Sequence, residues 1–111
     1  MMKQYIVEIS EPALQDMSDI YEYIAETLCV PDIAMKQYDR IANAILSLDQ
    51  FPERIKLMDA EPWHSMQMRK MPIDNYYVIF MVQNEKVIVT NVIYSASDFE
   101  RKLTEAFDIG K

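Results

Sequence analysis

Three strand-like runs in the last third of the chain decide its fold: Met68-Arg69-Lys70-Met71-Pro72, Tyr76-Tyr77-Val78-Ile79-Phe80-Met81-Val82 and Val87-Ile88-Val89-Thr90-Asn91-Val92-Ile93-Tyr94. Each run alternates or is apolar on both faces, as strands are in a sheet that is covered on one or both sides. Asp74-Asn75 and Asn84-Glu85 separate the runs, and Asn and Asp tolerate the positive φ that tight hairpin turns require. We therefore predict strands at about 66–71, 76–83 and 86–94, joined as an antiparallel meander with the second run in the centre.

The first half of the chain has the pattern of one strand followed by two helices. Residues 3–9 alternate as a strand does, and Ser10-Glu11-Pro12 is a helix start, since Ser caps free amides and Pro fits the first turn. Val30-Pro31 ends this helix and begins a second one, which stops at Phe51-Pro52. Apolar residues spaced three and four apart give each helix one buried stripe. We expect the first stripe to contain Leu14, Met17, Ile20, Ile24 and Leu28, and the second to contain Ala34, Tyr38, Ile41, Ile45 and Leu48.

Together these elements predict a single α+β domain over residues 1–111. Residues 53–65 show no periodicity and include Pro62, so we expect a loop there. A short final helix is expected to start at Ser97-Asp98-Phe99. The resulting order is β-α-α-β-β-β-α, an antiparallel sheet packed against a helical hairpin.

Few residues in this chain suit metal or cofactor chemistry. The single glycine excludes a glycine-rich phosphate loop, and the single cysteine, Cys29, excludes an internal disulfide and a cysteine-based metal cluster. Because Cys29 lies between Leu28 and Val30, we expect it to be a small buried residue. His64 is the only histidine, which is too few for a metal site but leaves it a candidate acid or base. We therefore expect neither a metal nor a cofactor.

The charge of the chain is negative and unevenly distributed. A net charge of −7 and a pI of about 4.6 argue against tight nonspecific binding to nucleic acid, which depends on cations near phosphates. No Lys or Arg occurs between Ser10 and Pro31, where five acids crowd the first helix: Glu11, Asp16, Asp19, Glu22 and Glu26. Such a face is either simply solvated or attracts a basic partner. No apolar run reaches the roughly 18 residues of a membrane span and no targeting segment is visible, so we expect a cytoplasmic protein.

Several of these segments, in this order, match those of a known family. In the first half they are Ser10-Glu11-Pro12-Ala13, Ile20-Tyr21-Glu22-Tyr23-Ile24-Ala25, Ala34 to Ile45, and Ile45-Leu46-Ser47-Leu48-Asp49-Gln50-Phe51-Pro52. In the second half they are Met68-Arg69-Lys70, Tyr76-Tyr77-Val78-Ile79-Phe80, Val92-Ile93-Tyr94 and Asp98-Phe99. With this ordered set, over nearly its whole length, the chain resembles the RelE/ParE superfamily of bacterial type II toxins.

The resemblance implies a small intracellular toxin that is encoded beside an antitoxin, which wraps around it. The superfamily has two functional branches. RelE-like members cut messenger RNA on the ribosome, and ParE-like members inhibit DNA gyrase. Because a fold does not fix a function, the branch has to be argued from the chemistry of the site.

Metal-free RNA cleavage needs a base, an acid and a cation beside the phosphate. The resemblance gives Arg69 as the candidate cation, with Tyr94 and His64 as the candidate proton-transfer groups. Arg69 has an alternative role, in which it ties the edge of the sheet to the neighbouring loop. The ribonuclease branch tends to carry further Arg, His or Tyr after the last strand, where this chain has Ser95-Ala96-Ser97-Asp98-Phe99. This departure and the acidic charge favour the ParE branch, with gyrase as target rather than the ribosome and mRNA.

A Met- and aromatic-rich region of the sheet suggests where the antitoxin binds. We expect an interface near Trp63, Met66, Met68 and Tyr76, because adaptable Met side chains and aromatic anchors suit a segment that folds on binding. Trp63 has an alternative place in the core. Two other functions stay open: an inactive toxin-fold module that binds protein, and a domain that forms a homodimer through an edge strand at 3–9 or 66–71.

Overall fold

The computed structural model describes residues 3–96 and 99–107. Strand β1 spans Ile6–Ile9, helix α1 spans Glu11–Glu22 and continues as a π-helical turn over Tyr23–Thr27, and helix α2 spans Pro31–Leu46. Two 3₁₀ turns follow at Ser47–Asp49 and Pro52–Arg54. Strands β2, β3 and β4 span Met68–Ile73, Tyr76–Gln83 and Lys86–Tyr94, and helix α3 spans Phe99–Phe107. The predicted β-α-α-β-β-β-α order is confirmed; the expected helix start at Ser97 and Asp98 lies outside the described residues.

The four strands form one sheet in the order β1-β4-β3-β2. Strands β2, β3 and β4 are antiparallel as predicted, but β1 pairs with β4 in parallel, from Ile6 opposite Lys86 to Ile9 opposite Val89. The sheet is therefore mixed rather than wholly antiparallel. The reason is that α2 brings the chain back to the start of β1, where the amide of Tyr5 donates to the carbonyl of Asp49 at 2.8 Å. Strand β2 therefore starts at the same end of the sheet as β1. Because β2, β3 and β4 alternate in direction, β4 runs in the same direction as β1.

Each face of the sheet has its own core. The helical hairpin covers one face. Ala34, Ile41 and Ile45 of α2 are buried as the sequence predicted, as is Leu48 in the 3₁₀ turn that follows, and Tyr38 is partly buried. On the opposite face, the segment before β2 and helix α3 enclose a second core. Its buried members are Met58, Trp63, Met68, Ile79, Ile93 and Leu103.

The predicted stripe of α1 is only partly correct. Met17 and Ile24 are buried, but Leu14 and Leu28 are 45% and 52% exposed, and Ala13 takes the innermost position against the sheet. A small residue suits the close approach of the first turn to β4. Beyond residue 22 the π-helical turn adds a residue to the repeat, so the spacing of an ordinary helix no longer predicts which side chain faces inward.

Cys29 is exposed, contrary to the expectation that it is buried. Its φ of 59° places it in the left-handed region directly after the helix ends, a position that turns the side chain toward solvent.

The edge strands are β1 and β2, as predicted, but both are short or covered. The edge of β2 is bridged at Arg69 by Leu57 and contains Pro72, features that discourage pairing with a second sheet.

The first turns of α1 complete the edge of β4 where β1 ends. The amide of Ser10 donates to the carbonyl of Val89 at 2.9 Å, and its hydroxyl donates to the carbonyl of Thr90 at 3.1 Å. The same hydroxyl caps α1 by accepting from the amide of Ala13 at 3.2 Å. Farther along, the Asp16 carboxylate accepts from the amide of Val92 at 2.9 Å. The side chains of Ser10 and Asp16 therefore take the place of a neighbouring strand along the second half of β4, and they fix α1 against it.

Replacing Ser10 by Ala removes the helix cap and the bond to Thr90 together. We expect a loss of about 1–2 kcal/mol in the free energy of unfolding, measured by urea denaturation followed by circular dichroism. Ser18→Ala, on the exposed side of the same helix, is the matched control and should change stability little. Equal losses in the two variants would contradict the role given to Ser10.

Candidate functional site

Arg69, the candidate phosphate-binding cation, has a structural partner. It lies half-buried on β2, and its guanidinium donates to the backbone carbonyl of Ile55 at 2.5 Å. The backbone bridge between Leu57 and Arg69 lies beside this bond. Arg69 thus ties the loop before β2 to the edge of the sheet, which is the alternative role that the sequence leaves open.

The three candidate catalytic residues do not converge on one point. Tyr94 lies opposite Tyr76 on β3, with their ring centres 5.7 Å apart, whereas Arg69 lies opposite Phe80. Four residues of β3 separate these positions, which is about 13 Å along the strand. His64 lies in the turn before β2, at the Arg69 end of the sheet, with Nδ1 2.9 Å from the carbonyl of Met58. The side chain of Phe99, which replaces a family Tyr, lies outside the described residues.

Two of the four predicted partner anchors belong to the core. Trp63 is only 2% exposed and Met68 is fully buried, because residues 58–68 fold over the face of the sheet opposite the hairpin. Trp63 and Met68 therefore belong to the core of the folded chain, which is the alternative place that the sequence leaves open for Trp63. Met66 is partly buried beside this core. Tyr76 is partly exposed, but it lies on the other face of the sheet.

Tyr76 lines an open groove that sequence reasoning missed. This apolar groove, of about 620 Å³, lies between the end of α1, the start of α2 and the adjacent ends of β3 and β4. Its large apolar side chains are exposed together: Tyr23, Leu28, Val30, Ile33 and Tyr94. A cluster of this kind is typical of a surface that binds another protein. The sequence feature that could have indicated this groove is Leu28-Cys29-Val30, an apolar run at the point where a helix ends.

A second groove continues from the first toward the C-terminal helix. This acidic groove, of about 510 Å³, lies between α1, the end of β4 and α3. Asp16, Asp19 and Glu105 line it, together with Lys102 and the amide of Asn91. The two grooves share Asp19, Ile20, Tyr94 and Lys102, so they form one continuous surface.

Asp16 is the most perturbed acid of this surface. Burial raises the pKa of its carboxyl above the ordinary value of 3.8, and the hydrogen bonds from Val92 and Asn91 oppose this rise without cancelling it. The neighbouring Asp19 raises the pKa further, and the more distant Lys102 lowers it slightly. The protein thus holds a carboxylate in a place where its charge is poorly solvated, which favours the approach of a cation.

Metal ligation and membrane insertion find no support in the described structure. Within residues 3–96 and 99–107, His, Cys, Asp and Glu form no cluster of three that could hold a metal ion. Every helix in that part of the chain is too short or too polar to cross a membrane. The chemistry that this surface offers is binding through apolar contact and negative charge.

Comparisons with known proteins show to which family the chain belongs. The family model of the ParE toxin of the type II toxin-antitoxin system, parDE, matches residues 7–99. The chain therefore belongs to the ParE toxin family, and the resemblance to the RelE/ParE superfamily is confirmed. A search of curated proteins gives no significant match.

Two solved structures share the fold. A chain of the chromosomal ParDE toxin-antitoxin system from P. aeruginosa superimposes with a TM-score of 0.69 at 17% identity, covering 82% of this chain and 96% of its own. A chain of the RelBE2 toxin-antitoxin complex from Mycobacterium tuberculosis superimposes with a TM-score of 0.60 at 17% identity, covering 87% of this chain and 98% of its own. At this identity the likeness establishes the α+β fold.

Replacing Asp16 by Asn should change how stability depends on pH. Since folding raises the pKa of Asp16, the folded chain binds its proton more tightly than the unfolded chain does. The wild type should therefore lose stability relative to Asp16→Asn as the pH rises from below 3.8 toward neutrality. Urea denaturation at several pH values measures this difference, with Glu26→Gln as the control for losing one negative charge from the same helical segment. A difference that stays constant over this range would contradict the assignment.

Proposed function

We propose that the chain inhibits bacterial growth by binding a protein target such as DNA gyrase, and that a cognate antitoxin neutralises it. The observation that carries this proposal is the apolar groove, where aromatic and aliphatic side chains are exposed side by side without a cover from the described chain. Membership of the ParE toxin family supports it. Such a toxin would act in the cytoplasm, where its target and its antitoxin are found.

The partner that best suits the groove is the antitoxin. Both structural relatives come from toxin-antitoxin systems, and the antitoxin is part of the RelBE2 complex. An extended or helical segment that folds on binding would bury the apolar groove and leave the two cores of the free chain unchanged. The interface that we propose therefore lies around Tyr76, Tyr94 and Leu28, and the buried Trp63 and Met68 are not part of it.

The geometry gives less support to a RelE-like ribonuclease. Arg69 is bonded to the Ile55 carbonyl, and Tyr94 lies about four strand residues away from it, so the three candidate residues do not all face one phosphate. The net charge of −7 also disfavours a ribosomal or RNA partner. The proposal is tested against two alternative functions: a ribonuclease that cuts mRNA, and an inactive module that binds protein.

Expression of the chain alone should slow bacterial growth, and co-expression of the neighbouring gene should restore it. The reason is that a segment bound in the apolar groove blocks the surface that meets the target. Leu28→Glu together with Ile33→Glu should abolish both growth inhibition and binding of the neighbouring gene's product, because two buried charges in the interface cost several kcal/mol. Leu46→Glu, an equally exposed leucine outside the groove, is the matched control. Normal growth with soluble, folded chain would favour the inactive module.

A supercoiling assay and a translation assay separate the two toxin branches. The purified chain should inhibit supercoiling by gyrase, and it should leave mRNA intact in a purified system with ribosomes. Arg69→Met should leave gyrase inhibition by the folded protein unchanged, because the guanidinium binds the loop rather than the target. Any loss of inhibition should match the loss of folded protein. Codon-linked cuts in the mRNA, lost in Arg69→Met or His64→Ala, would instead establish the ribonuclease branch.

A further inference from the structure

The acidic groove holds an unusual set of polar groups at the open end of β4. Three carboxylates line it, from Asp16 and Asp19 on α1 and from Glu105 on α3. The Glu105 carboxylate accepts from Arg101 at 3.1 Å, and the Asp19 carboxylate accepts from the amide of Gln15 at 2.9 Å. Lys102 is the cation among the described residues that line the groove. Acids therefore outnumber cations at the place where α1 and α3 approach each other.

Asn91 supplies a second and independent sign of a binding site. Its side chain lines the groove but is only 6% exposed, and the Oδ1 atom has no hydrogen-bond donor among the described residues. The Asn91 amide nitrogen is the atom that can donate to the Asp16 carboxylate, and this contact opposes the rise in the pKa of Asp16 that burial causes. A buried carbonyl without a donor is destabilising, because it has lost its hydrogen bonds to water without replacement. The free chain therefore presents an acceptor that lacks its partner.

The surroundings restrict what that partner can be. A group that satisfies Asn91 Oδ1 has to donate, and beside Asp16 and Asp19 a positive charge is favoured over a neutral donor. The adjoining apolar groove indicates that the donor arrives attached to an apolar segment. No Lys or Arg occurs from Ser10 to Pro31, so α1 itself contributes no competing charge.

We propose that the acidic groove binds one basic side chain, Arg or Lys, of the antitoxin whose apolar residues fill the adjoining apolar groove. The inference rests on the proposed function and names the residues by which the chain recognises its own antitoxin. The cationic group donates to Asp16 and Asp19, and supplies Asn91 Oδ1 with its missing hydrogen bond. Arg is favoured, because its planar guanidinium offers five donors in fixed directions.

Lys102 competes with the incoming side chain. It lines the same groove and its positive charge acts on the Asp16 carboxylate, so it opposes the approach of a second cation. The acids and Lys102 therefore act with opposite sign on the affinity for the antitoxin. An effect that exceeds that of Glu26→Gln, which removes one charge outside the groove, distinguishes a specific cation site from a general attraction that depends on net charge alone.

The first experiment measures the affinity of the full chain for the full-length product of the neighbouring gene by calorimetry. We expect Asp16→Asn to weaken binding on the order of 30-fold, and the exposed Asp19→Asn to weaken it roughly threefold. Lys102→Met should strengthen binding roughly threefold. Glu26→Gln, which removes one acid from the same helical segment outside the groove, should change it less than twofold. Asp19→Asn and Lys102→Met keep the test valid if Asp16→Asn folds poorly.

Two outcomes of this experiment have separate meanings. If the partner binds the wild type, and the groove variants differ from Glu26→Gln by less than twofold, the inference is overturned and the proposed function stands. If the partner does not bind the wild type, the proposed function fails and the second experiment decides the inference alone.

That second experiment titrates N-acetyl-arginine amide into the isolated chain and follows the side-chain amide of Asn91 by NMR. We expect saturable shifts that are reduced in Asp19→Asn and unchanged in Glu26→Gln. The neutral analogue N-acetyl-citrulline amide should give no saturable shift, because it has donors but no charge. Absence of saturation with the arginine probe, or equal shifts with citrulline, would overturn the cation site.

Discussion

The structure depends on one constraint: β1 is too short to cover β4. Its four residues pair with the first half of β4, and the rest of that edge would be left without hydrogen-bond partners. Ser10 and Asp16 meet this need from the first turns of α1. Because these bonds fix where α1 begins and how it lies against the sheet, they also set the position of the helical hairpin that follows.

The same constraint explains why the two grooves lie where they do. The hairpin covers one face of the sheet, and residues 58–68 with α3 cover the other, so neither face offers a large apolar surface. What remains open is the end of β4, where α1 has replaced a strand. A carboxylate then lies beside a strand edge, partly shielded from water, and this is the origin of both the raised pKa of Asp16 and the acidic character of the groove.

The sequence predicted the repetitive parts of the fold well and the site poorly. Strands β3 and β4 were predicted to the residue, because long apolar runs end at turns where Asp74 and Asn84 adopt positive φ. The stripe of α2 was also correct, since an uninterrupted helix keeps one period. The π-helical turn after α1 changed that period, and Leu28 became part of a groove instead of a core. The place of Trp63 stayed open for another reason: the loop that buries it has no periodicity from which a covered face can be predicted.

The parallel pairing of β1 with β4 has a consequence for the order of events during synthesis. The side chain of Ser10 is bonded to a residue 80 positions later, so β1 and α1 have no sheet to dock against until β4 has left the ribosome. The acidic groove is built from both α1 and β4, and it comes into existence only when almost the entire chain has been made. Premature release of a shortened chain would thus yield a product that cannot be recognised through this groove. The folded protein and its acidic groove therefore form together, late in translation.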